Sequence, residues 1–121
     1  MVQYARPSSD ISAGIWSPST GITLYGCIDE IAYDENDYIS SSGNSLGYCE
    51  VGLNSVTDPN SSSGHVIRTR AWQTGGSPPK QVTLVVRLYQ GSTQIASITT
   101  NLDTTGTHHD ISYTLSAAEA D

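Results

Sequence analysis

Residues 80–91 read KQVTLVVRLYQG, and this stretch decides the fold class that the sequence predicts. Its apolar side chains recur at every second position, so that one face of an extended chain would carry Val82, Leu84, Val86 and Leu88. Such alternation is typical of a half-buried strand. Two prolines precede the stretch, and a glycine-containing turn leads from it into TQIASITTNL, residues 93–102. The sequence therefore predicts a β-hairpin here.

Shorter alternating stretches occur along the rest of the chain, separated by Pro, Gly, Ser and Asn clusters that predict turns. We predict strands in residues 11–16, 22–26, 38–40, 46–53, 65–72 and 109–115. About eight short strands at a spacing of roughly ten residues, without a clear helix, indicate a β-sandwich. We therefore expect an all-β fold of two antiparallel sheets, built as a single domain over residues 1–121.

The two ends of the chain differ from these strands. Residues 1–6 form a short N-terminal arm, extended over residues 2–5, because a residue before proline favours the β region. Residues 116–121 form a C-terminal tail that begins with SAAE, a capping box in which Ser116 and Glu119 satisfy each other's backbone donors. So short a helical turn is not stable alone. We expect it either to dock on a neighbouring element or to fray.

Charge excludes several classes of partner. The chain has 5 Lys and Arg residues against 12 Asp and Glu residues, a net charge of −7. This balance repels nucleic-acid phosphates and anionic membranes, so we expect neither as a partner. The N-terminal residues lack the charged and apolar regions of a secretory signal, and we therefore expect synthesis and folding in a cytoplasm.

The two cysteines are too few for a disulfide framework. The alternation of LGYCEVGL places Cys49 on the apolar face with Val51 and Leu53, whereas Cys27 would lie opposite Ile22 and Leu24. We expect Cys49 to be a small core residue, Cys27 to be a separate thiol, and both to be unbonded.

Two groups of residues could hold a metal ion. The acidic loop, which we define as residues 28–38, carries Asp29, Glu30, Asp34, Glu35 and Asp37 but lacks the spacing and central glycine of an EF-hand. His108 and Asp110 share a strand face, yet no further His or Cys lies at a supporting spacing. A solvated acidic turn and strand-end surface residues explain both groups, and we predict no metal and no cofactor.

No arrangement of residues indicates catalysis. The chain has no G-x-S-x-G elbow, neither cysteine lies in a recognisable catalytic context, and no carboxylate pair has informative spacing. The sequence predicts a protein that is not an enzyme.

The best recognition patch comprises Arg68, Arg70 and Trp72, which lie on the strand face opposite Ile67 and Ala71. Arg and aromatic residues are enriched where proteins meet partners. The alternative is an aromatic residue that packs within the protein under arginine stems. Both interpretations bury the indole ring.

An ordered series of short motifs along nearly the whole chain resembles a small jelly-roll domain of the virion surface proteins of tailed bacteriophages. The motifs are Arg6-Pro7-Ser8-Ser9-Asp10, Trp16-Ser17-Pro18, Leu24-Tyr25, Ile28-Asp29-Glu30, Asp37-Tyr38-Ile39, Asp58-Pro59, Gly64-His65-Val66-Ile67-Arg68 and Gln90-Gly91. The resemblance implies a two-sheet antiparallel jelly-roll sandwich and a role on a virion, and it carries no catalytic residues. One departure is the tail, which ends where relatives continue into another apolar strand.

The resemblance implies a structural protein of the capsid surface, a decoration or cement subunit that stabilises the phage head. Its expected partners are the major capsid protein and neighbouring copies of itself, in a homo-oligomer such as a trimer. The residues expected to contact these partners are Val2, Tyr4, Arg68, Arg70, Trp72 and Glu119. A carbohydrate-binding module of a phage tail or fibre is the alternative, and a hydrolase is a third.

Overall fold

The computed structural model describes residues 3–41, 47–57, 59–74, 82–102 and 106–120. Within these ranges there are eight strands, and every pair of strands is antiparallel. The helices in the same ranges are a 3₁₀ turn of three residues and an α-helical turn of four. Neither has the length or apolar character that a membrane-crossing helix requires. The all-β prediction is confirmed.

The chain divides into two compact units, a first unit of residues 1–58 and a second unit of residues 59–121. In the first unit, β1 (Pro7–Ser12) pairs with β4 (Glu50–Leu53), and β2 (Trp16–Pro18) pairs with β3 (Ile39–Ser41). The β1–β4 ladder is irregular, with shifts of register on both sides of its centre. These ladders are short, so side-chain hydrogen bonds contribute much of the order in this unit.

The stretch predicted as one strand over residues 11–16 is the end of β1 and the start of β2, joined by a turn at Gly14. Gly14 has a φ of +54°, which favours glycine. The carbonyl oxygen of Tyr48 lies against its Cα and leaves no room for a side chain. The positive φ of Gly14 and the close approach of the Tyr48 carbonyl oxygen therefore interrupt the predicted strand. Neither feature can be recognised from the alternation of apolar residues in the sequence.

The strand predicted over residues 22–26 is wrong, because a 3₁₀ helix, η1 (Tyr25–Cys27), occupies this segment. The carboxylate of Asp10 accepts hydrogen bonds from the backbone N–H groups of Leu24 and Tyr25, both at 2.8 Å. Leu24 is 1% exposed, whereas Ile22 is 94% exposed. A carboxylate fourteen residues away along the chain thus selects a helical turn over an extended chain.

The roles predicted for the two cysteines are reversed. Cys27 is buried and Cys49 is partly exposed, because the 3₁₀ turn points the Cys27 thiol inward beneath Thr20. The thiol donates to the Thr20 carbonyl oxygen at 3.3 Å. Partial burial raises the pKa of the Cys49 thiol. Both cysteines are free, as predicted.

The second unit contains the predicted hairpin, formed by β6 (Val82–Gln90) and β7 (Thr93–Leu102) around a turn at Gly91 with a φ of +60°. Leu88 pairs with Ala96 but Tyr89 pairs with Gln94, so Ile95 is an extra residue in β7. This bulge places Ile95 out of the alternation that the rest of β7 follows.

One face of the hairpin is the more buried, and β7 supplies most of that burial. Ala96 and Leu102 are 3% and 4% exposed, and the cross-strand residues Leu84, Val86 and Leu88 are half-buried. Val82, at the start of the row, is 39% exposed. The predicted alternation of β6 is therefore confirmed for three of its four apolar residues, which line a shallow apolar face.

The other ladder of the second unit joins β5 (Val66–Ala71) to β8 (His109–Thr114) over their full lengths. A four-residue turn, α1 (Ala117–Ala120), follows β8. Each of the four sheets in the described ranges has two strands. The stacking of these sheets as a jelly roll stays a prediction.

Candidate functional site

The register of β5 and β8 brings the predicted recognition residues together with the His108 and Asp110 pair. Arg68 pairs with Ser112 and Arg70 with Asp110. Trp72 follows two residues later, and its ring lies 4.4 Å from the ring of His108, tilted by 41°. We define this group of Arg68, Arg70, Trp72, His108 and Asp110 as the Trp72 face. Sequence spacing predicted each strand but not the pairing that joins the two groups.

The charges of the Trp72 face are unequally compensated. Arg70 Nη1 lies 3.3 Å from Asp110 Oδ1, with side-chain exposures of 27% and 66%. An ion pair this exposed contributes about 0–1 kcal/mol, so it positions the Arg70 guanidinium more than it stabilises the fold. Arg68 is exposed and has no ion-pair partner among the described residues. The face therefore presents a cation beside a half-buried indole.

A buried glutamine, which the sequence did not indicate, fixes the edge of this ladder. Gln73 is 6% exposed, and its Nε2 donates to the carbonyl oxygen of Leu102 at the end of β7. The backbone carbonyl oxygen of Gln73 accepts from the backbone N–H of Gly106 at 2.8 Å. Gln73 thereby holds the position of Trp72 relative to the hairpin. No local pattern distinguishes such a glutamine from an exposed one.

Glu119 has its carboxylate engaged within the second unit. The predicted capping box is confirmed, since Ser116 N donates to Glu119 Oε2 at 2.7 Å and Glu119 N donates to Ser116 Oγ at 3.3 Å. The Tyr113 hydroxyl of β8 also donates to the same carboxylate, at 2.9 and 3.0 Å. The tail thus docks on β8 rather than fraying. These bonds, led by the one from Ser116 N, lower the pKa of Glu119.

The N-terminal arm is tied to the segment that follows β4. Gln3 exchanges two hydrogen bonds with the backbone of Thr57, at 2.8 and 3.0 Å. The Arg6 N–H donates to Asn54 Oδ1 at 2.5 Å, and the Asn54 N–H donates to the Arg6 carbonyl oxygen at 2.8 Å. Tyr4, between these anchors, is 46% exposed. Val2, the other arm residue predicted to contact a partner, lies outside the described residues.

An open depression of about 290 Å³ lies beside the arm in the first unit, lined by Arg6, Pro7, Ser8, Tyr25, Asp29 and Asn54. Arg6 Nη1 donates to the backbone carbonyl oxygen of Asp29 at 3.1 Å. The lining residues come from four separate segments of the chain, which is why spacing in the sequence gave no sign of this depression.

Several acidic residues of the acidic loop satisfy local donors. Asp37 Oδ1 accepts from the Thr20 hydroxyl at 2.8 Å, and Ser19 Oγ approaches the same oxygen at 3.4 Å. Hydrogen bonding to the Cys27 thiol, followed by that to Thr20, lowers the pKa of Asp37. Asp34 accepts from the backbone N–H of Asn36 at 2.9 Å. Across the described ranges, no three His, Cys, Asp or Glu side chains converge as a metal site would require.

Comparison with protein-family models, with curated proteins and with solved structures finds no match to this chain. The resemblance to phage virion domains therefore stays a prediction.

Proposed function

We propose that this chain is a structural virion protein, a decoration or cement subunit that binds the major capsid protein on the surface of a phage head. The observation that supports this most is the sheet topology. Every sheet in the described residues has two strands, so each strand has one edge that no neighbouring strand of its own sheet covers. Strand edges accept further strands through main-chain hydrogen bonds and need no specialised side-chain site.

The outer edge of β6 is the attachment site in this proposal. The hairpin from Val82 to Leu102 contains a single charged residue, Arg87, in a chain of net charge −7. A partner strand can therefore approach β6 without meeting the acidic residues that repel it elsewhere. Many copies bound to a lattice then reinforce one another, because each weak contact is multiplied over neighbouring sites.

In the same proposal the two-stranded sheets stack as a jelly roll, and neighbouring copies associate as a homo-oligomer such as a trimer on the capsid surface. The protein is made in the host cytoplasm and joins the assembled head. The acidic charge of the first unit then faces solvent and keeps decorated particles apart.

The test is to mix purified protein with undecorated capsids and to sediment the particles. We expect saturable co-sedimentation that is weakened by Val85→Lys, because a lysine on β6 hinders addition of another strand. The matched control is Thr99→Lys, the cross-strand neighbour of Val85. It adds the same charge to the same face but on β7. Wild-type protein that stays in the supernatant contradicts the proposal, and equal loss in both variants would assign binding to the face rather than to the edge.

A carbohydrate-binding module of a phage tail or fibre is the second candidate, and the Trp72 face favours it. The adjacent rings of Trp72 and His108, beside an arginine and a carboxylate, offer an apolar surface for a sugar ring together with donors and acceptors for its hydroxyl groups. A glycan array separates the candidates. Binding that is lost in Trp72→Ala, by protein that does not sediment with capsids, would select the tail module.

A further inference from the structure

We infer that the depression beside Arg6 is a binding site for a neutral polyhydroxylated ligand of the size of one sugar unit. Its volume of about 290 Å³ lies at the lower end of small-ligand sites, which span roughly 300–1,000 Å³. The site is contained in the first unit and is independent of the capsid proposal, which uses β6 in the second.

The guanidinium group of Arg6 is held in place before any ligand arrives. The backbone of Arg6 is fixed by its two hydrogen bonds with Asn54. One guanidinium N–H is fixed by the Asp29 carbonyl oxygen. An arginine carries five N–H donors, and in the described part of the chain the others have no protein partner. A preorganised donor fork loses less entropy on binding than a mobile one.

Acceptors and an apolar surface complete the depression. The backbone N–H of Tyr25 donates to Asp10, which fixes the start of η1 and so the backbone position of Tyr25. Neither the Tyr25 hydroxyl nor the Asp29 carboxylate has a hydrogen-bond partner among the residues that the structure describes. Pro7 adds apolar surface beside the tyrosine. Donors, acceptors and apolar groups therefore converge on one small volume.

The residues that line the depression include one arginine and one aspartate, and these opposite charges select against charged ligands. A small anion would be attracted by Arg6 but repelled by Asp29, whereas a small cation would be attracted by Asp29 but repelled by Arg6. A polyol gains from both groups, because each hydroxyl can accept from the guanidinium and donate to the carboxylate. Hydrogen bonds to charged partners are about twice as strong as neutral ones. A sugar, with hydroxyl groups around an apolar ring face, matches this set.

The test is a titration of the ¹⁵N-labelled full chain with glucose, galactose and N-acetylglucosamine, followed by amide chemical shifts. We expect saturable shifts at Arg6, Tyr25 and Asp29 with at least one sugar, at millimolar affinity, and no saturable shifts with acetate or methylammonium. Arg6→Gln should weaken the affinity about tenfold or more, because it removes charge-assisted donors. The matched control Arg87→Gln, an exposed arginine of β6 that lies in neither candidate sugar site, should bind as the wild type does.

A second variant covers the case in which Arg6→Gln does not fold. Tyr25→Phe removes only the unpartnered hydroxyl and should weaken binding while leaving the spectrum of the free protein nearly unchanged. The inference is overturned if none of the three sugars gives saturable shifts, if acetate binds more tightly than every sugar, or if both variants bind as the wild type does. Shifts abolished by Trp72→Ala but retained in Arg6→Gln would also overturn it and would assign the sugar to the Trp72 face.

Discussion

Residues 1–58 carry eight acidic residues and one arginine, whereas residues 59–121 carry four acidic and four basic residues. The whole net charge of −7 therefore belongs to the first unit. The longest strand of that unit has six residues, against ten in the second. In the first unit, carboxylates replace ladder partners by accepting backbone N–H groups, as Asp10 does at η1. In the first unit a carboxylate thus takes the place of a strand neighbour as the acceptor for backbone N–H groups, whereas the second unit is stabilised mainly by hydrogen bonds between its paired strands.

The largest expected effect on stability comes from replacing the buried leucine of the first unit. Leu24→Ala should lower the free energy of unfolding of that unit by about 3 kcal/mol, because Leu24 is 1% exposed and its removal leaves a cavity. The matched change in the second unit, Leu84→Ala, should cost only about 1–2 kcal/mol because Leu84 is half-buried.

Each unit contains one tryptophan, Trp16 in the first and Trp72 in the second, so fluorescence can report on the unfolding of each unit. Urea unfolding is measured by fluorescence in Trp72→Phe and Trp16→Phe backgrounds, so that each protein has one reporter. If Leu84→Ala lowers the free energy of unfolding more than Leu24→Ala does, the expected order is wrong, and the hairpin contributes more stabilising burial than Leu24.

The second effect concerns the carboxylate cap. Asp10→Asn should cost the first unit about 1–2 kcal/mol, because Leu24 N and Tyr25 N donate to separate carboxylate oxygens and an amide offers only one acceptor oxygen. Asp34→Asn is the control, because among the described residues the Asp34 side chain accepts hydrogen bonds only from its neighbour Asn36. If both variants unfold at the same urea concentration, the role of Asp10 as a cap is wrong.

The third effect is a pH dependence of the stability of the second unit, which results from Glu119. Its pKa is lowered in the folded protein from an ordinary value of 4.5, chiefly by the Ser116 N–H and then by the Tyr113 hydroxyl. A lowered carboxyl pKa stabilises the fold fully above pH 4.5, and this contribution is lost as pH falls through the folded pKa. Glu119→Gln should flatten the fall in melting temperature as the pH decreases below about 4.5.

Glu50→Gln serves as the control for this pH dependence, because no hydrogen bond involves the Glu50 side chain in the described ranges. Thermal melts monitored by circular dichroism across this pH range provide the measurement. A wild-type curve as flat as that of Glu119→Gln would show that the tail turn adds nothing to the stability of the second unit.

The smallest effect is expected for the titration of Tyr113, whose hydroxyl donates to Glu119 in addition to the capping box. The pKa of Tyr113 is raised, chiefly by its hydrogen bond to Glu119, so its hydroxyl group should ionise at a higher pH than that of an ordinary tyrosine. Spectrophotometric titration of the wild type against Glu119→Gln measures this. An unchanged tyrosine titration would mean that the tail does not rest on β8.

Local patterns predicted the second unit far better than the first. The β6–β7 hairpin, the strands β5 and β8 and the capping box all depend on residues close in sequence, and the structure confirms each. The strand predicted at residues 22–26 failed because Asp10 acts on it from β1. The roles of the two cysteines were reversed by the same turn.

The candidate sites divide in the same way. The sequence placed Arg68, Arg70 and Trp72 on one face, and the β5–β8 register added His108 and Asp110 to them. The depression beside Arg6 could not be predicted, since it joins residues that only the folded chain brings together.

The bulge at Ile95 has a practical consequence for work with this protein. It separates the tip of the hairpin, from Tyr89 to Gln94, from the paired residues that make the buried face. Tip residues are exposed, and residues added between Gly91 and Ser92 would not change which side chains of β6 and β7 point inward. The tip is therefore a suitable place to insert a short peptide tag or to attach a fluorescent label.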